Sequence, residues 1–321
     1  MQRLVLLLLS TICATLVLNA GTRQQGPRGR QVAITFDDLP FVSATTTATA
    51  RQAELTDKLL ASLGRHQVPA IGFVNEGKLY DRAGAMDPNK VMLLERWLGS
   101  GLELGNHTFS HLDLHGVTPD QFKEDVLRGE KITRALAEKA GRPFRFFRHP
   151  YLHTGRSREV REAVEAFLTL HGYRIAPVTF DNYDYVFARA YDGALTREPD
   201  AQRTRTEFLA YIERVVAYYE QQSRAIVGRE IPQILLLHAN ALNADTFDQT
   251  AEMLRRRGYS FVTLDAALAD PAYSSRDMYF GAGGITWLHR WALTHGQRGK
   301  FFAGEPEVPP WIQQAADAVR K

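Results

Sequence analysis

Short apolar runs alternate with helical patterns along most of this chain of 321 residues, and this alternation constrains the fold more than any other feature. The apolar runs of strand length lie at residues 31–36, 70–74, 101–104, 145–147, 173–180, 233–237 and 259–264. Amphipathic spacing predicts helices near residues 51–65, 90–98, 119–140, 158–170, 204–222 and 246–257. Repeated strand–helix units form mostly parallel sheets, so we expect an α/β fold with about seven strands in a barrel.

Two segments do not fit this alternation. Residues 181–203 are expected to be irregular, and residues 271–321 form a C-terminal extension that contains Trp287, Trp291 and Trp311. Packing of this extension on the barrel is the favoured interpretation, because large aromatic side chains are usually buried. A face on which sugar rings stack is the alternative.

The first 20 residues resemble a secretory signal peptide. Arg3 precedes a long apolar stretch, and Asn19-Ala20-Gly21 supplies a small residue at the expected cleavage point. Residues 21–30 are polar and are predicted to be a linker. We therefore expect export to the periplasm or the extracellular space, with an uncleaved membrane anchor as the alternative. Cys13 is the single cysteine, so no disulfide can form within the chain.

The charge balance argues against a nucleic-acid partner. The 39 basic and 36 acidic residues leave a formal net charge of +3, and no segment concentrates the excess. Nothing in the sequence implies a stable protein partner.

Acids, histidines and an arginine follow five of the predicted strands. In parallel α/β folds the active site lies at the carboxyl ends of the strands, so these side chains are expected to converge. They are Asp37 and Asp38, His107 and His111, Arg148 to Tyr151, Asp181 to Tyr185, and His238.

The spacing of these residues suits a divalent metal. His107 and His111 are four residues apart, which places both imidazoles on one side of a helical turn or tight loop. Two imidazoles and one carboxylate with an open position form the ligand set of catalytic zinc. In an extended segment the side chains of Asp37 and Asp38 point apart, so one could bind the metal while the other acts as a base.

Five ordered segments resemble the motifs of the polysaccharide deacetylase family (NodB homology domain, carbohydrate esterase family 4). They are Thr35-Phe36-Asp37-Asp38, His107-Thr108-Phe109-Ser110-His111, Arg148-His149-Pro150-Tyr151, Asp181-Asn182-Tyr183-Asp184-Tyr185 and Leu236-Leu237-His238. The resemblance implies a distorted (β/α) barrel over residues 31–270 and removal of acetyl groups from N-acetylglucosamine polymers. It also implies one divalent metal ion, expected to be Zn²⁺, with Co²⁺ or Ni²⁺ as alternatives.

The resemblance assigns roles residue by residue. Asp38, His107 and His111 would bind the metal, and Asp37 would be the general base. Arg148 would stand at the groove wall and help to keep Asp37 ionised. His238 would be the general acid, oriented by Asp184 in preference to Asp181.

The remaining assignments concern the substrate. The Tyr151 backbone N–H would stabilise the oxyanion next to Pro150, and Leu236 would line a pocket for the acetyl methyl group. Tyr185 stands where the family usually has tryptophan, which changes the wall of the groove. Hydrolysis of an O-acetyl ester or a small non-glycan amide is an alternative activity, and an inactive glycan-binding protein is the non-enzymatic one.

Overall fold

Seven strands form one sheet in the computed structural model, which describes residues 29–46, 48–81 and 83–319. The strands are β1 Arg30–Leu39, β2 Ile71–Val74, β3 Glu103–Asn106, β4 Phe146–Phe147, β5 Arg174–Ile175, β6 Gln233–His238 and β7 Tyr259–Phe261. Their pairings are all parallel, in the order β5-β4-β3-β2-β1-β6, with β7 paired to β1. This confirms the predicted α/β fold with a mostly parallel sheet. The predicted signal peptide and most of the linker lie outside the described residues.

The predicted strand at residues 173–180 links the two ends of the sheet. Its first part is β5, which pairs with β4, whereas Phe180 forms a parallel bridge to Leu235 of β6. The N–H groups of Thr179 and Phe180 both donate to the Ile234 carbonyl at 3.0 Å. Pro177 lies between the two parts and has no N–H to donate. The segment therefore changes partners midway, and the barrel that it closes is distorted.

Helices cover the sheet. They are α1 Thr49–Arg65, α2 Pro88–Gly99, α3 Pro119–Arg128, α4 Lys131–Lys139, α5 Arg158–Leu170, α6 Asp184–Ala194, α7 Glu198–Val227, α8 Ala241–Arg256, α9 Leu264–Leu268, α10 Trp287–Thr294 and α11 Pro310–Ala318. Each of the six predicted helices has a counterpart. None of the described helices is both long and apolar enough to cross a membrane.

The alternation of side chains along β1 sorts its residues onto two faces. Val32, Ile34 and Phe36 belong to the large apolar cluster that includes residues of the helices. Ala33 belongs to a smaller cluster with residues of other strands and of α9. Because successive side chains of a strand point to opposite faces, Thr35 and Asp37 share the face of Ala33. The interior face of β1 is therefore apolar at Ala33 and carries the Asp37 carboxylate near its carboxyl end.

The single helix predicted at residues 119–140 is broken between α3 and α4. A Cβ at Gly129 would lie 2.4 Å from the Thr108 carbonyl carbon and 2.5 Å from the Phe109 nitrogen. Gly129 thus allows the loop after β3 to approach the end of α3. Asp125 of α3 fixes the same loop, because its carboxylate accepts from the Ser110 N–H and hydroxyl at 2.9 Å each.

The prediction that residues 181–203 are irregular was wrong. Residues Asp184–Ala194 form α6, whose Phe187, Ala190, Tyr191 and Ala194 are buried at helical spacing. The acids and the glycine within this segment obscured that spacing in the sequence. Asp192 is bonded outside the helix, where its Oδ2 accepts from the Ser43 hydroxyl at 2.8 Å and the Ala44 N–H at 2.7 Å.

The C-terminal extension packs on the barrel. Helix α11 contacts α6, and α10 contacts α7. Trp291 is only 1% exposed, Trp287 packs on a small apolar cluster, and Trp311 lies 4.0 Å beneath the guanidinium of Arg203. These contacts favour the packing interpretation over a sugar-stacking face.

Candidate active site

The carboxyl ends of the central strands bring the predicted residues together. Asp37 and His238 are direct partners in the register of β1 and β6. Asn106, which precedes His107, is paired with Phe147, which precedes Arg148. A shared cleft of about 500 Å³ is lined by Asp37, Asp38, His107, His111, Tyr151, Tyr185, Leu236 and His238 among others.

Asp38, His107 and His111 form a cluster suited to a metal ion. The Nε2 atoms of His111 and His107 lie 3.5 and 3.8 Å from Asp38 Oδ1. That oxygen is buried, and its other charged neighbour is the Lys78 ammonium, whose Nζ lies 3.5 Å away. His107 Nδ1 lies 2.7 Å from the Arg148 carbonyl oxygen, which can only accept, so Nε2 keeps its lone pair. One buried carboxylate oxygen and two imidazoles fit a divalent cation.

The ionisation of these groups also fits a cation. Burial lowers the pKa of His107 well below its usual value, with a further contribution from His111, and burial likewise lowers the pKa of His111. Burial alone would raise the pKa of Asp38, but the Lys78 ammonium and the nearby histidines outweigh it and hold that pKa well below its usual range. The cluster therefore offers one carboxylate and two neutral imidazoles, the protonation states that metal binding requires.

The backbone of this cluster departs from the extended geometry expected for the two aspartates. Asp38 has φ of 68°, and Thr108 and His111 have φ of 66° and 57°. The left-handed region is uncommon for residues with a side chain, although Asp and His tolerate it better than most. Lys78 supports the turn at Asp38, because its Nζ donates to the Asp38 carbonyl at 2.9 Å.

Asp37 is buried on the interior face of β1. Burial raises its pKa to about 6, although the Arg148 guanidinium opposes that rise. Arg148 Nη1 lies 3.4 Å from Asp37 Oδ2, and its Nη2 donates to the Thr35 hydroxyl at 3.0 Å. The expectation that Arg148 stands at the groove wall was wrong, because Arg148 is fully buried, with its guanidinium 4.8 Å from the centre of the Phe73 ring. It supports Asp37 from within the barrel.

His238 is paired with Asp184. The Nδ1 atom of His238 lies 2.6 Å from Asp184 Oδ1, and the His238 N–H donates to Oδ2 at 2.8 Å. Burial alone would lower the pKa of His238, but Asp184 outweighs it and the result is a pKa of about 9. Asp181 lines the same cleft, and its side chain accepts from the Asn182 N–H at 2.9 Å. Of the two candidate acids, Asp184 is the one that contacts the histidine.

The predicted substrate residues differ in their exposure. Tyr151 and Tyr185 are 54% and 43% exposed at the cleft, and the Tyr185 ring lies 6.0 Å from that of His238. Leu236 is nearly buried and packs with Leu152 and Val178. Pro150 does not line the cleft, because it is buried at the start of a short 3₁₀ turn. The fixed φ of proline suits the first position of such a turn.

Three further residues complete the site. Asn243 of α8 donates to Asp184 Oδ2 at 2.7 Å and to the His238 carbonyl at 2.8 Å. His153 lines the cleft and is held by Asp113, with 2.7 Å between Nδ1 and Oδ1. Lys78 follows β2 and contacts Asp38, so it carries the same signal in the sequence as the other site residues, a polar side chain after the end of a strand. Asn243 lies inside a helix and gave no comparable signal.

Comparisons with known proteins agree with the sequence resemblance. Residues 24–172 match the family described as polysaccharide deacetylase. That range contains Asp37, Asp38, His107, His111, Arg148 and Tyr151. The match confirms the resemblance for this part of the chain, whereas Asp184 and His238 lie beyond it.

Several relatives carry deacetylase names. The chain is 32% identical over 127 residues to a peptidoglycan-N-acetylglucosamine deacetylase of Bacillus cereus, covering 39% of this chain and 38% of that protein. It is 31% identical over 111 residues to a chitooligosaccharide deacetylase of a Bradyrhizobium species, covering 35% and 42%. The matched segments thus span less than half the length of either relative. The solved structure of a Bacillus subtilis peptidoglycan deacetylase aligns at 20% identity with a TM-score of 0.47, covering 76% of this chain and 92% of that one.

Proposed function

We propose that this protein, whose residues 24–172 match the polysaccharide deacetylase family, is an exported metal-dependent hydrolase. It would remove N-acetyl groups from a glycan that contains N-acetylglucosamine. One observation carries the proposal: Asp37 and His238, with raised pKa values of about 6 and about 9, face one cleft beside the cluster of Asp38, His107 and His111. An acid and a base of this kind beside a metal cluster are the groups that amide hydrolysis needs.

A metal ion bound by the cluster would be the electrophile of the proposed reaction. Asp38, His107 and His111 would hold one divalent ion, for which we propose Zn²⁺, with Co²⁺ and Ni²⁺ as alternatives. When bound, such an ion lowers the pKa of water and acts as a Lewis acid towards a carbonyl oxygen. The nitrogen and carboxylate ligands fit zinc, which accepts both in catalytic sites.

Asp37 and His238 would move the protons. The Asp37 carboxylate accepts a proton from the attacking water, and a pKa of about 6 leaves it mostly ionised at neutral pH. The new bond joins the water oxygen to the acetyl carbon, and the bond between that carbon and the amide nitrogen breaks. The protonated His238 donates its proton to the departing nitrogen, so that acetate and a free amine leave. Asp184 keeps His238 charged until that transfer.

The rest of the cleft would orient the substrate. The Tyr151 N–H is proposed to stabilise the oxyanion that forms on the acetyl group. Leu236, which packs with Leu152 and Val178, would receive the methyl group. Tyr185 offers an exposed aromatic face on the side of His238.

The names of the relatives support a glycan substrate, because they are deacetylases of peptidoglycan and of chitooligosaccharides. The test is acetate release by the purified mature protein after loading with Zn²⁺, Co²⁺ or Ni²⁺. We expect release from N-acetylglucosamine oligomers and not from acetylxylan. Release from acetylxylan alone would replace the proposal with an esterase. Binding of the oligomers without release of acetate would favour a glycan-binding protein.

The proposed export rests on the sequence of the first 20 residues alone. Expression of the full chain in a bacterium followed by N-terminal sequencing should find a mature chain that begins near Gly21. A membrane-bound product that retains Met1 would instead identify an uncleaved anchor.

A further inference from the structure

A turn with unusual backbone geometry lies at the edge of the cleft. Tyr151 and Leu152 both have φ of 55°, so two successive residues with side chains occupy the left-handed region. This region is disfavoured for L-residues, and consecutive residues rarely adopt it without support from their surroundings. The turn matters for the proposed function, because Tyr151 and Leu152 both line the cleft.

The support comes from the C-terminal extension. The backbone of Gly284 lies against the turn so closely that a Cβ there would be 1.7 Å from the Tyr151 carbonyl oxygen and 3.3 Å from His153 Cδ2. Gly284 also lines the cleft. No side chain other than hydrogen fits at this point of contact.

Arg290 holds the following residues of the turn. It is 1% exposed, and it donates to the Leu152 carbonyl at 3.5 Å and to the Thr154 hydroxyl at 2.5 Å. Asp277 fixes the guanidinium, with Nε donating to Oδ2 at 2.7 Å. A buried arginine that is anchored at one end and bonded to a turn at the other restricts the positions that the turn can take.

Trp287 adds a further contact of the extension. Its backbone N–H donates to the Val178 carbonyl at 2.8 Å, and its side chain packs on the cluster of Leu152, Val178 and Leu236. The Arg290 guanidinium lies 4.7 Å from the centre of the Trp287 ring. One short stretch of the extension therefore contacts both the backbone of Tyr151 and the apolar cluster that includes Leu236, and both of these residues line the cleft.

We propose that Gly284 and Arg290 of the C-terminal extension are positioning residues for the turn at Tyr151 and Leu152, and that they contribute to the active site in this way. Both residues lie outside residues 24–172, which match the family. The inference rests on the proposed deacetylase function. It assigns the extension to catalysis rather than to packing alone.

The test compares two neighbouring glycines in the zinc-loaded protein. Gly284→Ala would force the Tyr151 carbonyl aside, whereas Gly283→Ala is a matched control, because a Cβ there would lie 3.5 Å from the Tyr279 hydroxyl, an ordinary contact. We expect Gly284→Ala to lower kcat about 10²-fold or more, as the loss of an oxyanion donor does. KM for N-acetylglucosamine oligomers and zinc affinity should stay near wild type, and Gly283→Ala should match wild type throughout.

A second variant covers the case in which Gly284→Ala does not fold. Thr154→Val removes the hydroxyl that Arg290 binds and keeps the shape of the side chain, so kcat should fall by a smaller factor, again without a change in KM. Both variants should speed amide hydrogen exchange in a peptide that spans residues 150–154, which is measurable without activity.

The outcomes separate the two proposals. A folded Gly284→Ala protein with wild-type kcat, or with unchanged exchange at residues 150–154, would overturn the role of the extension. A kcat loss matched by a loss of zinc in both variants would also overturn it, because the damage would then be general. An inactive wild-type protein would refute the deacetylase function instead, and the exchange measurement would still decide whether the extension holds the turn.

Discussion

At the residue scale, the site depends on two groups whose pKa values are moved by different causes. Burial raises the pKa of the Asp37 carboxyl to about 6, whereas Asp184 raises that of His238 to about 9. A carboxylate and an imidazolium therefore coexist near neutral pH, on residues paired across β1 and β6. Each can be tested by one conservative substitution.

Replacement of Asp37 by asparagine removes the proposed general base and keeps the shape of the side chain. The Asp37→Asn protein should keep its zinc but lose about 10²–10⁴-fold in kcat, the usual contribution of a general base. Acetate release and metal content by mass spectrometry are measured on the same sample. A kcat near that of wild type would remove Asp37 from this role.

Replacement of Asp184 changes the pH dependence. In the wild type, His238, which is the proposed general acid, loses its proton as pH rises through a pKa of about 9. Asp184→Asn removes the charge that raises this pKa and leaves the burial that lowers it, so the alkaline limb of kcat/KM should move to lower pH. Asp181→Asn is the control and should shift the limb less, because Asp181 does not contact His238 among the described side chains. An alkaline limb unmoved in Asp184→Asn would show that the pair does not set it.

At the element scale, the break between α3 and α4 is tied to the metal cluster. The end of α3 carries Asp125, which binds the loop of His107 and His111, and Gly129 leaves room for that loop. A continuous helix, which the amphipathic pattern favours, would exclude the loop from this position. The sequence pattern is thus overridden where the site requires a close approach.

Gly129→Ala tests this connection. The added Cβ would meet the backbone of Thr108 and Phe109 at 2.4 and 2.5 Å, so the loop must move. We expect about 1–3 kcal/mol lower stability from overpacking, together with weaker zinc binding. Gly64→Ala is the matched control, because its Cβ meets nothing within 4 Å, and the change should be neutral or slightly stabilising. Urea unfolding and zinc titration measure both effects, and unchanged zinc affinity in Gly129→Ala would contradict the connection.

At the scale of the whole molecule, the metal cluster lies on a barrel whose core does not depend on it. The large apolar cluster combines residues of the sheet, the covering helices and the C-terminal extension. The protein without metal should therefore remain folded, in contrast to small domains that need zinc to fold.

Thermal unfolding with and without zinc tests this independence. At a zinc concentration of about 100 times Kd, binding adds about 2.7 kcal/mol, which raises Tm by about 4 °C in a protein of this size. His107→Ala, which lacks one ligand, should show no such rise. A metal-free wild type without a cooperative transition would show instead that the metal is needed for folding.

Local patterns in the sequence were sufficient to predict the strands, seven of the eleven described helices (with α3 and α4 joined as one) and most residues of the cleft. Apolar runs mark strands because buried parallel strands must be apolar, and polar residues after them mark the site because parallel strands end at one edge.

Tertiary structure decided the rest. Arg148 lies inside the barrel, α6 forms where irregular chain was expected, and Asp184 rather than Asp181 reaches His238. The contact of Gly284 with Tyr151 joins positions far apart in sequence. Such contacts depend on how distant segments pack, and no local pattern of residues records that packing.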